Sequence, residues 1–426
     1  MPVRRSYLFY SRVRYPPPID RATPRVLQVA IRTVTGMRTF GVEEELLLVD
    51  GSSGRPVPVA PQVLEADERA GRRGGGALTA EMHQEMIEAV TRPTVDAVEL
   101  AQEAAGLRSA ADIAARSAGA RVAALAASPL RAEPHPTPSR RYQTMMGAYG
   151  ALPRHSLACA LHVHVGIESG EEGVAVLDRI RPWLPLLVAL TANSPFCQGE
   201  DTGHASWRTI AWNQWPCAGP TDVFGSLQAY RAFEQRLLDA GVVLDAGMLY
   251  FAARLSRNNP TVEVRVADVP LDVGVTATVA ALVRAMVDTA AAEWRAGDAV
   301  PEVPTGLLRL ASWHAALCGI RGTLVDPLSG LQAPAVAVLG RLLGHVQPAL
   351  EANGDDRLVL DGLGSIVTGG TGADLQRRAY HGPKRMGDVV RMAVERTTAD
   401  HVLPPHSTLA PEEFRAGTPE AGTLGL

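Results

Sequence analysis

Four short, strand-like stretches of this chain each carry ionisable groups where a sheet would bury apolar side chains, and that pattern restricts the fold more than any other feature. In Gly41-Val42-Glu43-Glu44-Glu45 the period of two puts Glu43 and Glu45 on one face and Glu44 on the other. Two carboxylates on one face of an apolar strand repel each other unless a cation lies between them, or unless the face is a solvated edge. Leu161-His162-Val163-His164-Val165-Gly166 points both imidazoles one way while its apolar residues pack the other. Thr261-Val262-Glu263-Val264-Arg265-Val266-Ala267-Asp268 sets Glu263 and Arg265 together opposite its valines. That pairing reads either as an ion pair or as a metal-binding carboxylate beside a phosphate-binding guanidinium. Glu88, inside Met86-Ile87-Glu88-Ala89-Val90, is either a strand carboxylate or one of three acids (Glu81, Glu85, Glu88) on the wet face of a helix.

Together Glu43, Glu45, Glu88, His162 and Glu263 form an oxygen-rich set with one imidazole. Such a set favours Mg²⁺ or Mn²⁺ over zinc, and beside an arginine it points to ATP-dependent phosphoryl transfer. Glu44, facing away, is expected to tolerate replacement by Gln. His83-Gln84-Glu85 lacks the second histidine of a zinc-protease helix, because Ile87 stands at that position. No Walker loop is present, and the only lysine, Lys384, stands outside any such motif. The turn Gly369-Gly370-Thr371-Gly372 either offers N–H groups to an anion or simply starts a helix. Trp207, Trp212 and Trp215 either wall a small-molecule pocket or pack a loop.

The remaining sequence frames these motifs. The 426 residues are ample for one large domain, and a formal net charge of −4 excludes a strongly basic nucleic-acid binder. No run of about 18 apolar residues is free of charge, so no membrane span is expected; the most apolar window, 273–287, contains Arg284 and reads as a core helix. Cys159, Cys197, Cys217 and Cys318 show no metal or redox spacing and read as reduced thiols of a cytoplasmic protein. Residues 1–36, with seven arginines and one acid, read as a disordered or non-native extension, 37–400 as a single catalytic domain, and 401–426 as a loose tail.

Strands are expected over 40–50, 77–91, 159–167 and 261–269. A long helix is expected over 95–127 and a proline-kinked one over 173–193. A third runs from an Asp272 cap to about Arg295, and a mostly helical third follows from Thr305. The class is α+β: an antiparallel or mixed sheet backed by helices.

Taken in order, Gly41 to Glu45, the His162–His164 strand, Ala192 to Phe196, Asp201 to Arg208 with Trp215-Pro216, and Tyr250 to Asp268 resemble the carboxylate–amine ligases of the glutamate–cysteine ligase type 2 family. The resemblance runs from about Met37 to Arg295 and more loosely to about Ala399. It implies a fold like the glutamine synthetase catalytic domain, with an antiparallel sheet cradling ATP and Mg²⁺. It also implies a reaction in which the γ-carboxylate of L-glutamate is phosphorylated and then attacked by an amine, that of L-cysteine in the named activity.

By similarity, Glu43, Glu45, Glu88, His162 and Glu263 would be metal ligands. Arg265 would bind phosphate beside Glu263 at the catalytic centre, and Arg254, Arg208, His164 and Asn193 would contact nucleotide or substrate. The implied partners are these small molecules, with no nucleic acid or membrane; a homo-oligomer is left open. Ala252 and Asn258-Asn259 depart from the family pattern, which bears on the amine and on catalytic strength. Two alternatives stand beside the ligase: a metal-dependent hydrolase using the two histidines with His204 and Asp268, and a non-catalytic member that binds nucleotide or an amino acid.

Overall fold

The computed structural model describes residues 36–71, 75–154, 157–382 and 385–399. The expectations for the N-terminal extension and the C-terminal tail therefore fall, but for Gly36, outside the described residues. Strand β1 (Phe40–Asp50) is the axis of the main sheet. Around it lie β2 (Ala77–Ala80), β3 (Met86–Val90), β4 (Ala120–Ala123) and β5 (Ala160–Gly166). Two-residue strands β6 (Phe196–Cys197) and β7 (Glu200–Asp201) form a separate hairpin, and β8 (Ala253–Leu255) and β9 (Thr261–Asp268) complete the main sheet. The strand order is β2-β3-β1-β5-β9-β8, with β4 on the far end of β1, and every pairing is antiparallel.

Alternation along these strands gives the sheet two unlike faces. Val42 and Leu46 of β1, Leu161, Val163 and Val165 of β5, and Val262 and Val264 of β9 are all buried and turn to the helices. Those helices are α1 (Ala60–Ala70), α2 (Ala97–Arg116), α3 (Arg140–Ala148), α4 (Gly170–Ile180), α5 (Leu184–Thr191), α6 (Trp207–Trp212), α7 (Leu227–Asp239) and α8 (Val273–Ala296). The C-terminal third adds α9 (Thr305–Cys318), a hairpin of β10 (Thr323–Val325) and β11 (Gln332–Pro334), then α10 (Ala335–Asn353), α11 (Asp356–Gly369), α12 (Gly372–His381) and α13 (Met386–Thr397). The expected α+β architecture, with its helical C-terminal third, is what the chain adopts. Helix α8 is long and apolar enough to cross a membrane by composition, yet 83% of its apolar window is buried inside the protein. Its Arg284 is fully buried, donating to Val95 O at 2.6 Å, ion-paired with Asp355 and lying 4.1 Å over the Phe40 ring.

Four local expectations are corrected. The stretch 77–91 is a hairpin, β2 and β3, not one extended segment. The helix expected to reach Ala127 ends at Arg116, because Gly119 (φ +71°) turns the chain into β4. Asp272 occupies the N-cap of α8 without bonding it; its carboxylate binds Arg396 at 2.8 Å instead. Glu44 is no tolerant surface acid: it is 1% exposed and bidentate to the buried Arg108 (2.7 and 2.8 Å), with the Thr276 hydroxyl at 2.6 Å. The turn before α12 starts a helix, where Thr371 and Asp374 form a capping box.

Candidate active site

The second face of the sheet is polar, and the register lines its groups up strand by strand. Glu88 of β3 stands opposite Glu45 of β1, Glu43 of β1 opposite His162 of β5, and His164 of β5 opposite Glu263 of β9. Arg254 of β8 stands opposite Glu263 on its other side. Directly opposed residues lie close enough for side chains to touch. His162 Nδ1 is 3.2 Å from Glu43 Oε2, and its Nε2 is 3.9 Å from Glu45 Oε1. His164 Nδ1 is 3.0 Å from the Thr261 hydroxyl, and its Nε2 lies 3.3 Å from Glu43 Oε1 without the alignment of a hydrogen bond. Glu45 Oε2 accepts from the Ala160 N–H at 2.7 Å, and Glu88 Oε2 from the Thr79 hydroxyl at 2.9 Å. Glu263 is held by Arg254 in two hydrogen bonds of 2.7 and 3.1 Å and by Arg265 in an ion pair.

One further acid belongs to this face. Glu81, in the turn between β2 and β3, accepts from the Met82 N–H at 2.6 Å and joins Glu45 and Glu88 in a cluster. The sequence named it only in the helical alternative for this stretch; a hairpin over 77–91 puts its tip, and Glu81, beside Glu88.

The charges divide the face in two. Burial and the neighbouring acids push Glu45 up to about 8 and Glu88 well above the usual carboxylate range, and burial likewise raises Glu81. In the other half burial works in the same direction but is overcome: His164 and His162 hold Glu43 well below its ordinary value, and Arg265, His164 and Arg254 do so for Glu263. Burial and Arg265 press His162 down to about 4, whereas the Glu43 carboxylate outweighs burial and raises His164. One half of the site thus has its counter-charges built in, and the other gathers carboxylates whose charged forms burial and one another disfavour.

Three donor sets, Glu43/Glu88/His162, Glu43/His164/Glu263 and Glu45/Glu81/Glu88, each bring their ligand atoms within 4.8 Å of one another. Their hard oxygen donors and surplus negative charge fit divalent cations of the Mg²⁺ type.

Guanidinium groups border the acids. Arg265 is buried beside them and its Nε has no partner. Arg208 of α6 is buried too; its Nη atoms donate to the Val266 and Arg265 carbonyls (3.3 and 3.2 Å), its Nε is unpartnered, and burial lowers its pKa. Both arginines line a small open cleft with Trp212, Tyr250, Phe251 and Ala252. Trp212 therefore walls a pocket, as one reading of the sequence had it, whereas Trp215 packs a satellite core. Arg141 of α3, missed from sequence, is fixed by Asp245 (2.7 and 3.1 Å), with Tyr142 and Tyr250 beside it. Burial drives the Tyr250 phenol up to about 12.

Asn193 does not join this group. It is fully buried, its amide donates to the Ala124 and Val269 carbonyls (2.9 and 2.7 Å), and its Oδ1 accepts from Gln376 at 2.7 Å, so its polar atoms brace the fold. His204 and Asp268, the further ligands a hydrolase would need, are absent from the three donor sets: His204 stacks edge-on with Trp207 and Trp313, and Asp268 is engaged by Ser194 and Ser206.

Comparison with known proteins gives a family and a shared fold. The model of the glutamate–cysteine ligase family 2 matches residues 39–396. A protein of Paenarthrobacter aurescens (strain TC1), provisionally named glutamate–cysteine ligase 2-1, is 48% identical over 368 residues, covering 85% of this chain and 95% of its own length. A Streptomyces coelicolor protein with the same provisional family name is 45% identical over 363 residues, covering 85% of this chain and 100% of its own. Among solved structures, a glutamate–cysteine ligase of Francisella tularensis in complex with AMP shares the fold at a TM-score of 0.60 and 13% identity, covering 86% of this chain and 90% of that one.

Proposed function

The chain belongs to the glutamate–cysteine ligase family 2, and on that premise we propose that it is a carboxylate–amine ligase using ATP to join the γ-carboxylate of L-glutamate to an amine, with L-cysteine the reference acceptor. The observation that carries this reading is the set of three overlapping carboxylate clusters on one sheet face, two of them with a histidine, with Arg265 at its edge. A glutamate γ-carboxylate oxygen attacks the terminal phosphorus of ATP; the new O–P bond forms as the bond to ADP breaks. The amine then attacks the acyl carbon, inorganic phosphate leaves, and the amine's surplus proton is lost to the medium.

Glu43, Glu45, Glu81, Glu88, His162, His164 and Glu263 would hold Mg²⁺, which when bound neutralises the phosphate oxygens. Arg265, kept charged by Glu263, has a planar donor fork suited to the phosphoryl group in transfer. His162, neutral across physiological pH, leaves a nitrogen lone pair facing the acids. The free cysteines support a reducing, cytoplasmic setting.

The acceptor amine is the open part of the reading. Ala252, one of the departures from the family pattern, lines the cleft beside Arg208 and Trp212, so it bears on what the cleft admits. Asn258 and Asn259 lie exposed in the turn between β8 and β9 and bear on it less.

The test follows ADP release with ATP, Mg²⁺ and L-glutamate, first with hydroxylamine, which traps an activated carboxyl as the hydroxamate, and then with an amino-acid panel. Glutamate-dependent hydroxamate is expected; ATP-independent hydrolysis or nucleotide binding without turnover would sink the reading. Arg265→Lys should lower kcat by about 10²–10³-fold, the usual cost of losing one preorganised electrostatic partner, with little change in Tm. Loss of Tm with kcat intact would reduce Arg265 to an ion-pair partner of Glu263.

A further inference from the structure

Arg208 is a buried cation whose place is not explained by its own bonds. Its two Nη contacts are to backbone carbonyls of β9, its Nε has no partner, and its guanidinium carbon lies 5.8 Å from the Trp212 ring centre. Asp268 Oδ1 stands 3.8 Å away, close enough to offset charge and too far for a hydrogen bond. The two side-chain hydroxyls that hold backbone N–H groups of Arg208 and Thr209 both lead to Asp268, while the Ser206 and Trp207 N–H groups are held by the Ala316 and Ser194 carbonyls.

The Ser194 hydroxyl donates to Asp268 Oδ2 at 2.8 Å and accepts from the Arg208 N–H at 3.0 Å. The Ser206 hydroxyl donates to Asp268 Oδ1 at 2.9 Å and accepts from the Thr209 N–H at 3.2 Å. Since Ser206 has one proton and gives it to Asp268, the Thr209 hydroxyl, 2.8 Å away, must be the donor in their contact. The Asn193 N–H adds a third donor to the carboxylate at 2.9 Å. Asp268 is itself 1% exposed at the end of β9, three residues past Arg265.

We propose that Asp268 is a positioning residue: by accepting from Ser194 and Ser206 it orients their lone pairs onto the first turn of α6 and thereby holds the Arg208 guanidinium in the substrate cleft. What Arg208 contacts there rests on the ligase reading; the positioning itself does not. A carboxylate is needed because it only accepts. An amide of the same shape offers one accepting oxygen and two N–H donors, so at least one serine must reverse its proton and spend a lone pair on the amide, which redirects the hydroxyl that braces the first turn of α6.

The experiment has a structural and a kinetic arm. In a crystal structure of Asp268→Asn, the Arg208 guanidinium is expected to leave the Val266 and Arg265 carbonyls or to split between two positions. An unmoved guanidinium overturns the proposal. In kinetics, Asp268→Asn should raise by about tenfold the KM of whichever substrate Arg208→Gln also raises, with kcat changed less than about threefold. Combined with Arg208→Gln it should add less than about twofold, as expected of residues acting through one group. Full multiplication of the two effects, or a lower Tm with KM unchanged, would assign Asp268 to stability alone.

If Asp268→Asn does not fold, Ser194→Ala cuts one link of the chain and is read in both arms the same way. If the wild-type protein makes no glutamate-dependent hydroxamate, the ligase reading falls by itself, and the crystallographic arm still decides the placement of Arg208.

Discussion

Glu43, Glu44 and Glu45 are adjacent and chemically alike, yet the pleat gives them separate tasks. Replacing Glu43 or Glu45 by Gln removes charge from the polar face, and turnover is expected to fall by about 10²–10³-fold. Replacing Glu44 by Gln instead strands the fully buried Arg108 guanidinium, at a cost of about 3–5 kcal/mol, while kcat of the folded fraction stays near that of the wild type. Thermal melts and kcat measured on all three variants check the division; equal losses of turnover would contradict it.

The same carboxylates set a pH dependence. Between 4.5 and about 8 folded Glu45 keeps a proton that the unfolded chain releases, so the folded state binds more protons and stability falls as pH rises. His162 acts oppositely between about 4 and 6.5, because there the unfolded chain binds the extra proton. Above 6.5 that opposition ends, and His164, raised, adds to the loss. Protein stripped of divalent ions should therefore melt lower at pH 8 than at pH 6.5, with a slope up to about 1.4 kcal/mol per pH unit for each such group. Glu45→Gln should shallow that slope, and added Mg²⁺ should do the same. A flat profile in the stripped wild-type protein would show that these acids do not share the proposed cation-deficient environment.

At the scale of elements, β1, β5 and β9 are legible because their alternation is strict and puts Glu43 with Glu45, His162 with His164, and Glu263 with Arg265 on one face. The hairpin of β2 and β3 was less so: Met82 to Glu85 contains no glycine, proline or asparagine, and the turn is fixed by tertiary bonds such as Gln84 N–H to the His135 carbonyl at 2.8 Å. That is also why the sequence does not set Glu81 beside Glu45 and Glu88. Strand β4 shares the alanine-rich composition of α2, so apolar spacing alone runs the helix on into it, and Gly119 was the one local signal of a break. Asn193 misled because a motif position says nothing of which way a side chain points. Helix contacts were invisible from sequence altogether. A Cβ on Gly362 of α11 would lie 2.0 Å from the Thr278 hydroxyl of α8. Gly362→Ala must push those helices apart, and a loss of about 1–3 kcal/mol is expected in the denaturant midpoint, with turnover of the folded protein unchanged. An unshifted midpoint would show that the helices yield freely.

Across the whole molecule, the last two helices close over the ends of the central strands. Gln376 of α12 donates to both oxygens of Asn193 at 2.7 Å, and the Thr397 hydroxyl of α13 accepts from the Ala124 N–H at 2.8 Å. Gln376→Ala should leave two buried acceptors short of a donor and cost about 1–3 kcal/mol, read as a lower Tm; an unchanged Tm would show that other groups take over the contact.

The position of β1 at the centre of the sheet also has a consequence for the protein's birth. Glu43 and His162 face each other across 119 residues of chain, and the partners on β9 come later still. At the usual pace of translation the ribosome takes on the order of ten seconds to deliver β5 after β1 has been made. During that interval the oldest strand has β3, β4 and α2 for company; Arg108 of α2 answers Glu44, and Glu43 and Glu45 remain without the partners that β5 and β9 bring. Its negative charges then act as gatekeepers, discouraging the nascent edge from pairing with a neighbouring chain until its own partner is synthesised.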